Sequence, residues 1–124
     1  MRNAVPLRIY IAGQIAGLPI TEAKENFRSI EDQLHAMGYH PINPMRHLGI
    51  PEHWTTEQAL PYCLEAVEKC EGIYIQSNWR KSEGTQREIE RAQRLGKELF
   101  FAESKGMEML EDLSRDLHIR TTGD

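Results

Sequence analysis

Short apolar runs alternate along this chain with longer segments of helical period. The run Ile9-Tyr10-Ile11, between Arg8 and Gly13, predicts a strand over residues 7–12 that can be buried on both faces. Alternation along that strand points Tyr10 away from the side of Ile9 and Ile11. Ala23, Phe27, Ile30, Leu34 and Met37 then recur at helical spacing, so a helix is expected from an N-cap at Thr21 to about Met37, ended by Gly38. Residues 39–42 form a second short run, stopped by Asn43-Pro44, and a loop without period follows to His53. Leu60, Leu64 and Val67 mark a helix from Thr55 or Thr56 to about Cys70, in which Pro61 is expected to kink or delay the start. Residues 72–76 read as a third strand and 99–102 as a fourth. A charged amphipathic helix lies between them over 85–95, closed by Gly96. A last helix over 106–117 has Met107, Leu110, Leu113 and Leu117 inward, and the tail from Arg120 to Asp124 is expected to fray.

The order βαβαβαβα predicts a parallel sheet flanked by helices, with right-handed crossovers. Ligands of such sheets sit outside the carboxyl ends of the strands. Three loops should converge there, residues 13–19, 43–53 and 77–84, and Gly, Pro, Asn and Trp irregularities cluster in them.

Composition narrows the picture. At 124 residues the chain fits one core and is too short for two, so residues 1–124 read as a single domain with its core at about 7–118. The net charge is −4 and no Lys/Arg block interleaves with aromatics, which argues against a nucleic-acid polymer as partner. Apolar runs are only a few residues long and no signal-peptide core precedes the first strand, so no membrane partner and a cytoplasmic location are expected. Cys63 and Cys70 are expected to be free thiols. Neither CxxC nor HxxxH spacing occurs, so no metal site is expected. Among the five histidines (His35, His40, His47, His53 and His118), only His47 and His53 stand in a candidate loop.

Residues 78–88, Asn-Trp-Arg-Lys-Ser-Glu-Gly-Thr-Gln-Arg-Glu, carry the densest chemistry. They run from a strand through a Ser-x-Gly turn into a helix, which presents backbone N–H groups and the Glu88 carboxylate to the crevice. Glu88 admits a functional reading, as a nucleophile on a sugar carbon or a stabiliser of positive charge. It equally admits two structural ones: the Thr85-x-x-Glu88 capping box, or an i,i+3 pair with Arg91. Tyr10 could orient a carboxylate, or could simply pack under a helix. Gly13-Gln14-Ile15-Ala16-Gly17 follows a strand directly, which lets a ligand approach the backbone or merely makes a turn. It is not the GxGxxG dinucleotide fingerprint, and no P-loop lysine is present. Trp54 and Trp79 could stack on a flat base or cap the core.

Taken in order, Ile9-Tyr10-Ile11-Ala12-Gly13, Gly38-Tyr39, Asn43-Pro44, Cys70-Glu71-Gly72-Ile73-Tyr74, Trp79-x-x-Ser82-x-Gly84-x-x-x-Glu88 and Ala92-x-x-Leu95-Gly96 resemble the DUF4406 family over about residues 7–102. That family is similar to the nucleoside 2-deoxyribosyltransferase superfamily, which includes deoxynucleoside-monophosphate N-glycosidases. The resemblance implies a Rossmann-like (flavodoxin-like) α/β fold with four to five strands. It implies a small-molecule nucleoside or nucleotide partner, and a homodimer or higher homo-oligomer. No metal or organic cofactor is implied. Glu88 would attack C1′ of the sugar and Tyr10 would hold its carboxylate; water or another base would then resolve the glycosyl-enzyme. Ser82 and Gly84 would lie near the 5′ end, and Gly13, Gln14 and Ile15 would meet the sugar or base. Cys63, Glu71, Asn78 and Trp79 complete the implied substrate-binding set. A nucleophile of this kind should be ionised near neutrality, for which an ordinary glutamate pKa of about 4.3 serves.

The chain departs from the family pattern at particular places. Cys63 stands where the family commonly has a helical Asp that handles the leaving base, and Glu71 replaces the strand-opening Asp. Gln14 stands where the family often has Pro, and the first loop has no Arg. Two alternatives to an enzyme therefore stand beside it: a non-catalytic pocket for a nucleotide-derived ligand, and a plain α/β scaffold.

Overall fold

The computed structural model describes residues 6–122, with side chains described as far as Asp116. The elements in order are β1 (Arg8–Ala12), α1 (Ile20–Ala36), β2 (His40–Ile42), α2 (Thr56–Glu68), β3 (Gly72–Ile75), α3 (Glu83–Arg94), β4 (Glu98–Phe101) and α4 (Gly106–Thr122). All four strands pair in parallel, in the order β2-β1-β3-β4. This is a Rossmann-like α/β sheet with four strands among the described residues. The chain steps from β1 outward to β2, then crosses back over β1 to β3 on its other side. Neighbouring loops leave the sheet in opposite directions at β1 and β3, which opens a crevice at their carboxyl ends.

Alternation along the strands builds two cores. Ile9 and Ile11 join Phe27, Leu34 and Leu110 from α1 and α4, while Tyr10 and Ala12 face Cys63, Val67, Ile89 and Ala92 from α2 and α3. Residues such as Phe27 and Leu34 are wholly buried, each stabilising the fold by roughly 1.5–3 kcal/mol. Tyr10 thus points opposite to its neighbours, as alternation requires.

Helix starts depart from the sequence reading. Pro19, not Thr21, is the N-cap of α1; its carbonyl accepts the first helical bond, from the Ala23 amide at 3.1 Å, with no side-chain cap. Thr55 caps α2 in a reciprocal capping box with Gln58 (3.2 and 2.8 Å), and this anchor lets the helix run through Pro61 without delay. Ser82 caps α3 by accepting from the Thr85 amide at 3.1 Å, so the helix starts at Glu83, two residues early. At the other end, α4 continues past Leu117 to Thr122. Leu113 is exposed rather than inward, because the facing turn is completed by Ser114, whose hydroxyl donates to the Met37 carbonyl at 2.7 Å. The side chains of Leu117 and His118, and the end of the tail at Asp124, lie outside the described residues. Cys63 and Cys70 are free and buried.

Candidate active site

Gly13 is where β1 releases the chain. Its carbonyl accepts from the Thr85 hydroxyl at 2.8 Å, and the next amide, of Gln14, donates to Asn78 Oδ1 at 3.1 Å. Two hydrogen bonds thereby tie the first loop to the segment after β3. A methyl group on Gly13 would run into the buried Gln76 side chain, so the close approach requires glycine. Gly84 is equally constrained, since an added Cβ would lie 2.9 Å from Thr56 Cγ2 of α2.

The inward stripe of α3 reads Gly84, Thr85, Glu88, Ile89, Ala92. An acid therefore occupies a position that helical period assigns to the core, and Glu88 is only 7% exposed. Its Oε2 accepts from the Tyr10 hydroxyl at 2.8 Å across a separation of 78 residues. The Cys63 thiol of α2 is a neighbour of the same carboxylate. Both structural readings of Glu88 fail for physical reasons. Ser82 already takes the Thr85 amide, so no Thr85-x-x-Glu88 box forms, and Arg91 reaches out to Glu68.

Burial dominates the electrostatics. It pushes the Glu88 carboxyl up to about 7, against the opposing pull of the Tyr10 hydrogen bond and the neighbouring Cys63 thiol. Burial first, then the Glu88 charge, drives the Cys63 thiol up to about 12 and the Tyr10 phenol well above its ordinary value. At neutral pH the cluster is a half-ionised carboxylate between a neutral phenol and a neutral thiol. The expectation of an ordinary glutamate pKa is corrected accordingly: a carboxyl stripped of water on a core stripe cannot keep its solution value.

Glu88 and Cys63 form the floor of an open cavity of about 360 Å³, a size suited to a small organic ligand. The three predicted loops converge on it: Gly13, Ile15 and Ala16 from the first, Pro44, Met45 and Ile50 from the second, and Ser82 and Gly84 from the third. Leu60 and Thr56 of α2 close one side, and Trp54 lies at the rim against Tyr62, with ring centroids 5.5 Å apart. Lys24 and Glu52 form an ion pair at the mouth.

Of the expected site residues, Glu88, Gly13, Ile15, Cys63, Ser82 and Gly84 line the cavity, and Tyr10 supports Glu88 from beneath. Four others do not line it. Glu71 is at the opposite end of the sheet, bound to Arg8 at 2.8 Å, because the residue that opens a parallel strand lies at its amino end. Gln14 folds onto its own loop, its amide donating to the Ala16 carbonyl at 3.1 Å, and Asn78 is spent on the Gln14 amide. Trp79 packs edge-on against Phe101 (5.9 Å) beneath the Arg80 guanidinium, so it caps the core. His47 braces the second loop by accepting from the Asn43 amide at 2.9 Å, and neither it nor His53 lines the cavity. Thr85 and Lys24 were missed. Thr85 had a signal, a polar residue on the inward stripe of α3; Lys24 sits among other charges of α1 and had none. No group of acidic, histidine or cysteine side chains suited to a metal ion occurs among the described residues.

A family model described as "Domain of unknown function (DUF4406)" matches residues 7–101. No curated protein matches the sequence. The fold is shared with three solved structures. One is a 2-deoxyribosyltransferase from Bacillus psychrosaccharolyticus (20% identity over 76% of this chain and 70% of that one, TM-score 0.57). Another is a CMP N-glycosidase from Clostridium botulinum (18%, 76% and 66%, TM-score 0.53). The third is a 2-deoxyribosyltransferase from Leishmania mexicana (22%, 77% and 63%, TM-score 0.57). The chain spans about two thirds of the length of these proteins.

Proposed function

The chain belongs to the DUF4406 family, and from that premise and the chemistry of its cavity we propose that it cleaves or transfers the glycosidic bond of a nucleoside or nucleoside monophosphate. The observation that carries this reading is a buried carboxylate held by a phenol at 2.8 Å on the floor of an open cavity. The names of the proteins sharing the fold, two deoxyribosyltransferases and a CMP N-glycosidase, point the same way.

In this mechanism the Glu88 carboxylate attacks C1′ as the C1′–N bond opens, through an oxocarbenium-like transition state. Tyr10 fixes the attacking oxygen and favours its anionic form. Water, or a second base, then opens the glycosyl ester from the same cavity. A 5′ substituent would lie toward Ser82 and the start of α3, where the amides of Glu83 and Gly84 offer donors to a phosphate. A homodimer or larger assembly in the cytoplasm, with one such domain per chain, belongs to the same proposal.

Incubation with a panel of deoxynucleosides, ribonucleosides and their monophosphates, followed by chromatography for free base, tests it. Release abolished by Glu88→Ala supports the enzyme. A second reading, binding without cleavage, is favoured by Cys63, because a thiol pushed up to about 12 is a weak proton donor to a departing base. Thermal stabilisation by a nucleotide with no base released supports that reading instead.

A further inference from the structure

Resting on the glycosidase reading, we propose that the natural substrate carries a cationic base, a ring quaternised at nitrogen such as a pyridinium or an N7-alkylpurinium, joined to ribose or deoxyribose. The inference follows from which proton donors face the cavity. Among the described residues that line it, the carboxyl groups are Glu88 and Glu52, and none is His, Asp or Tyr. Glu88 must be anionic to attack, so it has no proton to give. Glu52 and Lys24, the second carboxyl and the ammonium of the lining, are paired with each other at the exposed mouth, so the Lys24 protons are held by Glu52 rather than offered to a base above Glu88. Thr85 commits its hydroxyl proton to the Gly13 carbonyl. Cys63 is left as a neighbour of the reacting carboxylate, and burial holds its thiol proton tightly.

Electron accounting shows what such a cavity can do. Glu88 donates an electron pair to C1′, and the C1′–N pair departs with the base. From a neutral base this creates a ring anion, which needs a proton to leave readily. From a quaternised base the same pair cancels the positive charge, and a neutral molecule leaves with no proton at all. Water then adds to C1′, the ester C–O bond breaks to restore the Glu88 carboxylate, and the water proton passes to solvent. The cavity is also shaped to receive a cation. With Glu88 ionised its side chains carry one net negative charge (Lys24 against Glu52 and Glu88), and the indole of Trp54 lies at the rim, where a flat cation can stack on it.

The test compares glycosides that differ only in base charge. Nicotinamide riboside and its monophosphate form one arm, and N7-methylguanosine with its deoxy and monophosphate forms the other. Neutral parents, including guanosine, deoxyguanosine and their monophosphates, serve as references. Each kcat/KM is divided by the spontaneous hydrolysis rate of the same compound, so that intrinsic lability cancels. General acid help is worth roughly 10²- to 10⁴-fold, and an enzyme equipped with it would show a larger normalised enhancement on the neutral parents. Here the cationic glycosides in one or both arms should show an enhancement at least equal to that of the neutral ones. On nicotinamide riboside, whose pyridinium has no ring proton to lose, the pH profile should rise to a plateau without a descending limb. Cys63→Asp, which adds a carboxyl beside the leaving base, should raise the neutral-to-cationic ratio of kcat/KM at least tenfold. Trp54→Leu should raise KM for the cationic glycosides about 2- to 30-fold. If Cys63→Asp does not fold, the wild-type comparison still decides. A larger normalised enhancement on neutral bases, or a descending alkaline limb on nicotinamide riboside, overturns this inference and leaves the glycosidase reading intact. Absence of Glu88-dependent release from every glycoside overturns both.

Discussion

Removing a single hydroxyl tests the chemistry of the site most directly. In Tyr10→Phe the ring remains in the core while the donor 2.8 Å from Glu88 disappears. A hydrogen bond to a charged group contributes roughly 1.5–3 kcal/mol, and each pKa unit corresponds to about 1.4 kcal/mol. The carboxyl, already pushed up to about 7, should therefore titrate with a midpoint of about 8 to 9. At pH 7 its ionised share would fall from about a half to between roughly 1% and 10%, so base release should slow about 5- to 50-fold there. At pH 9 to 10 most of the loss should be recovered, because the carboxylate reappears. The assay is kcat/KM for base release against pH for both proteins, with circular dichroism to confirm the fold. A uniform loss at every pH, with an unmoved midpoint, would refute the claim that Tyr10 acts by favouring the anion.

Glu88→Gln should remove a stability cost as well as activity. Since the folded pKa of Glu88 is raised, the folded state binds a proton between about pH 4.5 and 7 that the unfolded state has released; wild-type stability thus falls as pH rises through that window. The variant should match wild type near pH 4 and be more stable by up to about 3 kcal/mol at pH 8, measured by urea unfolding. Glu71→Ala should cost less than about 1 kcal/mol, as a half-exposed pair with Arg8, and should leave base release unchanged; lost activity would contradict the placement of Glu71 at the far end of the sheet. Gly106→Ala would press a methyl to 2.7 Å from the Phe101 carbonyl oxygen at the start of α4, so a loss of roughly 1–3 kcal/mol is expected from its denaturation midpoint.

The sheet was legible because its strands are short apolar runs between Gly and Pro breaks, and parallel pairing needs little more. The cavity was legible because the irregular residues fall in loops that share one end of that sheet. What failed was local competition for hydrogen bonds. Thr85 and Glu88 satisfy the capping-box spacing, yet Ser82 reaches the Thr85 amide first, and only the path from β3 through Trp79–Lys81 decides between the two caps. Glu71 entered the expected site through the family resemblance alone; as the residue that opens β3 it stands at the amino end of the sheet, while the cavity lies at the carboxyl end. Trp79 and Asn78 lie in the correct loop but turn toward Phe101 and Gln14, contacts made across at least 22 residues of chain that no window of sequence reveals.

Position 88 also explains why so much of the rim is bonded to itself. An alanine there would extend the packing of Thr85, Ile89 and Ala92 with no ionisation penalty, so the acid weakens the fold wherever it is charged. A carboxylate in that situation escapes its penalty if neighbouring elements shift and admit water. The rim resists this through bonds that need no ligand: Thr85 to Gly13, Gln14 to Asn78, Ser82 to the Thr85 amide, and the capping box that fixes the start of α2. Asn43 adds another, spanning the Glu31 carboxylate of α1 and the Met45 amide to hold the second loop in place. Such a rim keeps the buried acid facing the cavity before any substrate arrives, which is the condition under which positioning lowers a barrier rather than merely binding a ligand.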